Sequence, residues 1–205
     1  RDADGAAIRC TGAECPAQLL RNLTHFASRN AMDIDGLGPA VIQQLVDSGL
    51  VRTAADLYSL RPEQIAELDR MGQKSARNAV EAIARSREDD LWRLIFALGI
   101  RQVGEKAAKV LAARFGSMDA LSTATEEELT AIDDVGPITA KYIRQWMDSP
   151  QSQDLLARLK AAGLNMTCKE ELVDRRFAGM TFVLTGALEK LSLIHISEPT
   201  RPLYI

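Results

Sequence analysis

Four times along this chain of 205 residues the pattern apolar-x-x-apolar-Gly recurs: "IDGLG" at 34–38, "LDRMG" at 68–72, "IRQVG" at 100–104 and "IDDVG" at 132–136. The closing glycines are Gly38, Gly72, Gly104 and Gly136, and the steps between them are nearly equal. A near-constant period of this size marks an array of one supersecondary unit, and it restricts the fold more than any other feature. Four and seven residues past each glycine stand Ile42 and Leu45, Ala76 and Ala79, Ala108 and Leu111, Ala140 and Ile143. That spacing places each pair on one helical face. Pro39 and Pro137 directly follow a glycine, where a missing N–H costs nothing and the fixed φ favours helix entry.

The segments ahead of the turns, "EQIAEL", "DLWRLIFAL" and "EEELTAI", read as helices too, the last opened by Thr125 with Glu128 as a capping box. Each unit is therefore helix, hairpin, helix, with the glycine expected to permit the turn. Only 5% of residues are aromatic, in keeping with a mainly α fold rather than a sandwich or barrel. No run approaches the roughly 18 apolar residues of a membrane span, and the N-terminus lacks a secretory pattern, so the expected location is the cytoplasm.

A glycine at the head of a helix has a second consequence. The first amides of a helix lack intrahelical acceptors and sit at the positive end of its dipole, so they form a place for an anion. With no side chain on the glycine, a phosphate can approach the backbone closely. The formal net charge of -3 argues against a uniformly basic nucleic-acid binder. Local charge is different. Residues 67–114 carry ten Lys or Arg against seven Asp or Glu, whereas residues 116–171 carry five against ten. Arg70, Lys74 and Arg77 surround the second hairpin and Arg101, Lys106 and Lys109 the third, while the outer hairpins carry Asp33 with Asp35 and Asp133 with Asp134. The expected phosphate-contacting set is Gly38, Arg70, Gly72, Lys74, Arg77, Arg101, Gly104, Lys106, Lys109 and Gly136, with hairpins two and three leading.

These repeats resemble the helix-hairpin-helix motif. Their order, with "MDIDGLG", "RMGQKSA", "ALGIRQVGEKAA" and "DVGPITA", resembles the helix-hairpin-helix domain of bacterial NAD-dependent DNA ligases. The resemblance implies binding to nicked duplex DNA through its backbone, by a monomer found in the bacterial cytoplasm and at the nucleoid, in replication and repair. It also implies NAD as adenylate donor and magnesium or manganese for the parent enzyme. A free-standing helix-hairpin-helix protein binding DNA or junctions in repair is the alternative, and a helical protein-interaction module a more distant one.

"RCTGAECPAQ" gives Cys10-x4-Cys15, half of a four-cysteine zinc site. In the ligase family the similar segment is the second half of a zinc finger, so Cys10 and Cys15 are expected metal ligands that hold zinc poorly alone. Cys168 and His25 are expected to be an ordinary thiol and a surface or core residue. "FAGMTFVLTGAL" reads as a strand entering a turn and resembles the start of a BRCT domain. The closing "LSLIHISEPTRPLYI" resembles the translation of a sequencing-library adapter.

The expected layout is thus a partial zinc-finger segment and connecting helix at 1–29, four tandem helix-hairpin-helix motifs at 30–166 and a linker at 167–176. A truncated BRCT start at 177–190 and an artefactual tail at 191–205 complete it. No catalytic residue is expected. The family's nucleophile is the lysine of a K-x-D-G motif, and none of the seven lysines is followed by x-Asp-Gly. The chain should not ligate alone.

Overall fold

A computed structural model of the chain describes residues 16–169, in which helices joined by turns and loops are accompanied by one isolated bridge between Ser117 and Thr167. The zinc-ligand candidates Cys10 and Cys15, the BRCT-like strand and the adapter-like tail lie outside the described residues.

Each repeat is two helices joined by its hairpin. The first motif pairs α1 (Pro16–Ala27) with α2 (Pro39–Asp47), the second α3 (Pro62–Ala66) with α4 (Gln73–Ser86). The third pairs α5 (Leu91–Ala97) with α6 (Glu105–Phe115), and the fourth α8 (Glu126–Thr130) with α9 (Pro137–Met147). A 3-10 segment, Ala54–Ser59, joins the first two motifs, α7 (Met118–Thr123) joins the last two, and α10 (Pro150–Ala161) closes the domain.

The eight apolar residues four and seven positions beyond the glycines are all 0% exposed, so the face read from their spacing is the one that packs. They belong to one hydrophobic core running from Leu23 to Leu164. Thr125 caps α8 as its sequence requires: its hydroxyl accepts from the Glu128 amide at 3.2 Å and the Glu128 carboxylate accepts from the Thr125 amide at 2.9 Å.

The short period of the glycines is nested in a longer one. When Gly72 is laid on Gly136, the 3-10 segment falls on α7 and α3 falls on α8. The four motifs are therefore two pairs, each holding a short connecting helix, whereas α4 runs to Ser86 and is followed by α5 with no helix between. Within the first pair, the Gln44 side chain accepts from the Asp69 amide at 2.7 Å and donates to the Asp69 carbonyl at 3.4 Å, so α2 braces the second hairpin. The ends of the domain are tied together by α10. Arg158 pairs with Asp56 at 2.6 Å, and Arg87 donates to the carbonyls of Ala162 and Tyr58.

Two boundaries differ from those read in the sequence. The connecting helix read within residues 1–29 is the first helix of the first motif: Leu23, Phe26 and Ala27 are buried in the common core, and the amides of Met32 and Ile34 donate to the carbonyls of Phe26 and Ala27. Residues 167–169, assigned to a linker from their charge, are held to the domain. The Cys168 amide donates to the Gly116 carbonyl at 2.8 Å and the Lys169 amide to the Asp90 carboxylate at 3.0 Å.

Candidate nucleic-acid interface

The hairpins turn on a residue that the sequence pattern did not mark. Two positions before each closing glycine the backbone is left-handed: Gly36 at φ +87°, Arg70 at +63°, Gln102 at +65° and Asp134 at +69°. Three of these are not glycine, and each stores on the order of 1 kcal/mol of backbone strain. At Gly36 a side chain would add a tight contact to this strain, since a Cβ there would lie 3.2 Å from the Ala79 Cβ on α4.

The closing glycines correct an expectation. Gly38, Gly72, Gly104 and Gly136 have φ between -93° and -70° with ψ between 169° and 178°, extended backbone open to any residue. They do not permit the turn; the residue two places earlier makes it. Nor does packing require them, because a Cβ on any of the four would meet no atom within 4 Å. All four are exposed and each is the N-cap of the following helix, with no side-chain cap. What the missing side chain provides is clear space in front of the first amides of α2, α4, α6 and α9. The Gly38 carbonyl accepts from the Val41 and Ile42 amides, leaving Ala40 as the forward donor after Pro39. In the second hairpin Gln73, Lys74 and Ser75 supply the forward amides, all on exposed residues.

The cations divide the two inner hairpins. Arg70, Lys74 and Arg77 are exposed and make no ion pair among the described residues. Those of the third hairpin are engaged. Arg101 stacks 4.6 Å from the Tyr142 ring centroid. Lys106 reaches across to Asp134 of the fourth hairpin at 2.9 Å, and Lys109 pairs with Glu105 at 2.8 Å while its Nζ lies 4.4 Å from the Trp92 ring centroid. These are exposed pairs worth at most about 1 kcal/mol each, weak enough for a phosphate to displace. Asp134 neither caps its helix nor turns freely outward; it is held by Lys106. The second hairpin is the one whose positive charge is uncommitted.

Comparing hairpins by position exposes residues missed in the sequence. Five residues past the glycine stand Gln43, Arg77, Lys109 and Lys141, so Lys141 is the fourth hairpin's counterpart of two cations already named, and it is exposed. It lies in the net-acidic stretch, which hid it. Two residues past the glycine stand Ala40, Lys74, Lys106 and Ile138, all exposed.

His25 is a packing residue. Its Nε2 is 2.8 Å from the Phe96 carbonyl and its ring meets Phe96 edge-on at 4.7 Å. Cys168 is half-buried and packs against the core. The arrangement can bind an extended anion without reading its sequence, and the described residues contain no metal-ligating cluster of three or more His, Cys, Asp or Glu. No helix among them is long and apolar enough to cross a membrane.

Comparison with known proteins divides the chain where the fold does. Residues 28–85 match a SAM-like helix-hairpin-helix tandem and residues 93–156 a helix-hairpin-helix motif, corresponding to the first and second pairs. Proteins named DNA ligase from Trichlorobacter lovleyi, Carboxydothermus hydrogenoformans and Geobacter sulfurreducens are 54%, 50% and 48% identical over 93%, 91% and 92% of this chain. The chain spans 28% of the length of each of these relatives. Over the stretch it shares with them, the chain is a mainly α tandem of helix-hairpin-helix motifs, similar to the corresponding part of these bacterial proteins named DNA ligase.

Proposed function

We propose that this chain is the DNA-gripping portion of an NAD-dependent DNA ligase, holding nicked duplex through its sugar-phosphate backbone as a monomer during replication and repair. The observation that carries the reading is the set of four exposed glycines whose bareness serves neither backbone conformation nor internal packing. Their missing side chains leave room for something outside the chain, and the amides behind them favour an anion. Four such points repeated in two pairs suit a ligand that is itself a repeating polyanion.

Gly38, Gly72, Gly104 and Gly136 admit phosphates, while Arg70, Lys74, Arg77, Arg101, Lys106, Lys109 and Lys141 neutralise them. Hairpin two engages first because its cations have no partner to leave. In the parent, NAD and magnesium or manganese serve the sealing step on parts that this chain does not supply, and this chain alone binds without ligating. Cys10 and Cys15 supply two of the four ligands of a tetrahedral zinc site. The parent works in the cytoplasm and at the nucleoid.

The test is binding of a fluorescent nicked duplex by the full chain across a salt series, with Lys74→Glu and Lys106→Glu combined in a second sample. The double variant should bind every duplex sequence more weakly and with a shallower salt dependence, and neither protein should close the nick with NAD. Wild-type protein that leaves the duplex free at low salt defeats the reading, and unchanged affinity in the double variant removes the inner hairpins from the contact.

A further inference from the structure

Ile138 is 69% exposed, the one large hydrophobic side chain so exposed among the described residues. It occupies the second position of α9, immediately beyond Gly136 and Pro137. The same position in hairpins two and three holds Lys74 and Lys106. An exposed isoleucine leaves apolar surface in water that a partner could cover, and its β-branching gives nothing to an early helical position. It is no part of the internal core.

We propose that Ile138 is an apolar anchor of the fourth hairpin, packing on the deoxyribose faces of the duplex backbone. This rests on the DNA-binding reading above and assigns the fourth hairpin a mode of contact unlike that of the inner two. The placement supports it. A phosphate meeting the amides beyond Gly136 brings its flanking sugars within reach of the next side chain, and those sugars are the apolar part of the backbone. Lys141 lies three residues on, on the same side of the helix, where it meets the neighbouring phosphate. Asp134, whose charge would otherwise oppose approach, is neutralised by Lys106 at 2.9 Å. The fourth hairpin thus holds DNA by a contact that salt does not screen, beside one that it does.

The two kinds of contact separate in a salt series. Ile138→Gln should weaken duplex binding by roughly tenfold at every salt concentration, the worth of a largely buried aliphatic side chain. Its slope of log affinity against log salt should be that of wild type. Lys141→Gln should lower the slope by about 0.9, one phosphate contact. Ile138→Leu should bind like wild type, and since the side chain is exposed, all three should unfold at the wild-type temperature. Wild-type affinity in Ile138→Gln at all salts overturns the proposal, as does a fall in its slope. A change in its oligomeric state with unchanged DNA binding also overturns it, by giving the side chain to a second copy. If wild type binds no duplex, it is the broader reading that fails; if wild type binds and Ile138→Gln matches it, only the anchor fails.

Discussion

Replacing Gly72 and Gly36 by alanine, one at a time, separates glycine kept for a ligand from glycine kept for the fold. At Gly72 the backbone is extended, φ -93° and ψ 169°, and an added Cβ meets nothing within 4 Å. Alanine is the poorer N-cap by about 0.5–1 kcal/mol, but it restricts the unfolded chain by about 0.4–1 kcal/mol. The two effects nearly cancel, so stability should stay within about 0.5 kcal/mol of wild type and Tm within roughly 2 °C. At Gly36 the backbone is left-handed and Ala79, 0% exposed on α4, stands 3.2 Å from the new Cβ. Conformational strain of about 1–2 kcal/mol plus this contact should cost about 2–3 kcal/mol in total, a fall of roughly 4–12 °C. Binding should order the variants differently. A methyl on Gly72 stands where a phosphate oxygen would meet the helix amides. Hydrogen bonds to a charged acceptor are worth about 1.5–3 kcal/mol, so affinity for duplex should drop roughly ten- to a hundredfold at fixed salt. Urea unfolding and fluorescence anisotropy on the same samples give both numbers. If Gly72→Ala destabilised the chain as much as Gly36→Ala does, this glycine would serve the fold. Wild-type affinity in a stable Gly72→Ala would show that the open space in front of it is unused.

Asp134→Asn should free Lys106 from its exposed partner and tighten duplex binding several-fold at low salt, with a steeper salt dependence; equal affinity would mean that Lys106 does not reach DNA. Acid should reveal Asp56. Burial raises its pKa, but hydrogen bonds from the Arg52 and Thr53 amides, the Arg158 guanidinium and the Thr53 hydroxyl outweigh that and hold it below the ordinary 3.8. Its contribution to stability is therefore complete above the unfolded value and lost as pH falls below about 4 through the depressed one. Asp89 is displaced the opposite way: its burial raises its pKa, with Arg93 opposing the rise, so its contribution is present below the ordinary value and fades as pH climbs. Because the two oppose each other in a whole-protein titration, the informative quantity is the difference between wild type and Asp56→Asn. That difference in unfolding free energy should shrink between pH 5 and pH 3, and a constant difference would contradict the assignment.

The helical faces were legible because burial in a helix leaves a spacing. Ile42 with Leu45 and Ala140 with Ile143 could be placed on an inward face from their separation alone. Thr125 and Glu128 were readable because a capping box is local. The turn itself was not, since the left-handed position is filled by Gly36, Arg70, Gln102 and Asp134, four residues with no shared chemistry. Only the neighbouring glycine repeats, and it drew the eye to the wrong position. Pairing of the motifs escaped as well: the steps between the glycines look uniform, and the difference between a short connecting helix and none hardly changes their length. Charge gave the inner hairpins correctly as the basic ones but could not show which cations were already engaged. The bond from Lys106 to Asp134 spans 28 residues, and the stacking of Arg101 on Tyr142 also joins separate motifs, so neither leaves a local trace. Lys141 and Ile138 emerge only when the four hairpins are aligned on their glycines.

The central claim is that the amides behind the four bare glycines face the backbone of a duplex. Its most direct measurement is a titration of the isotopically labelled chain with a short nicked duplex, following every backbone amide by nuclear magnetic resonance. The account predicts that the largest shifts fall together on Ala40 and on residues 73–75, 105–107 and 138–139, with the exposed residues of α10 such as Gln151 and Asp154 unmoved. Shifts concentrated on α10 while those four sets of amides stay still would contradict it.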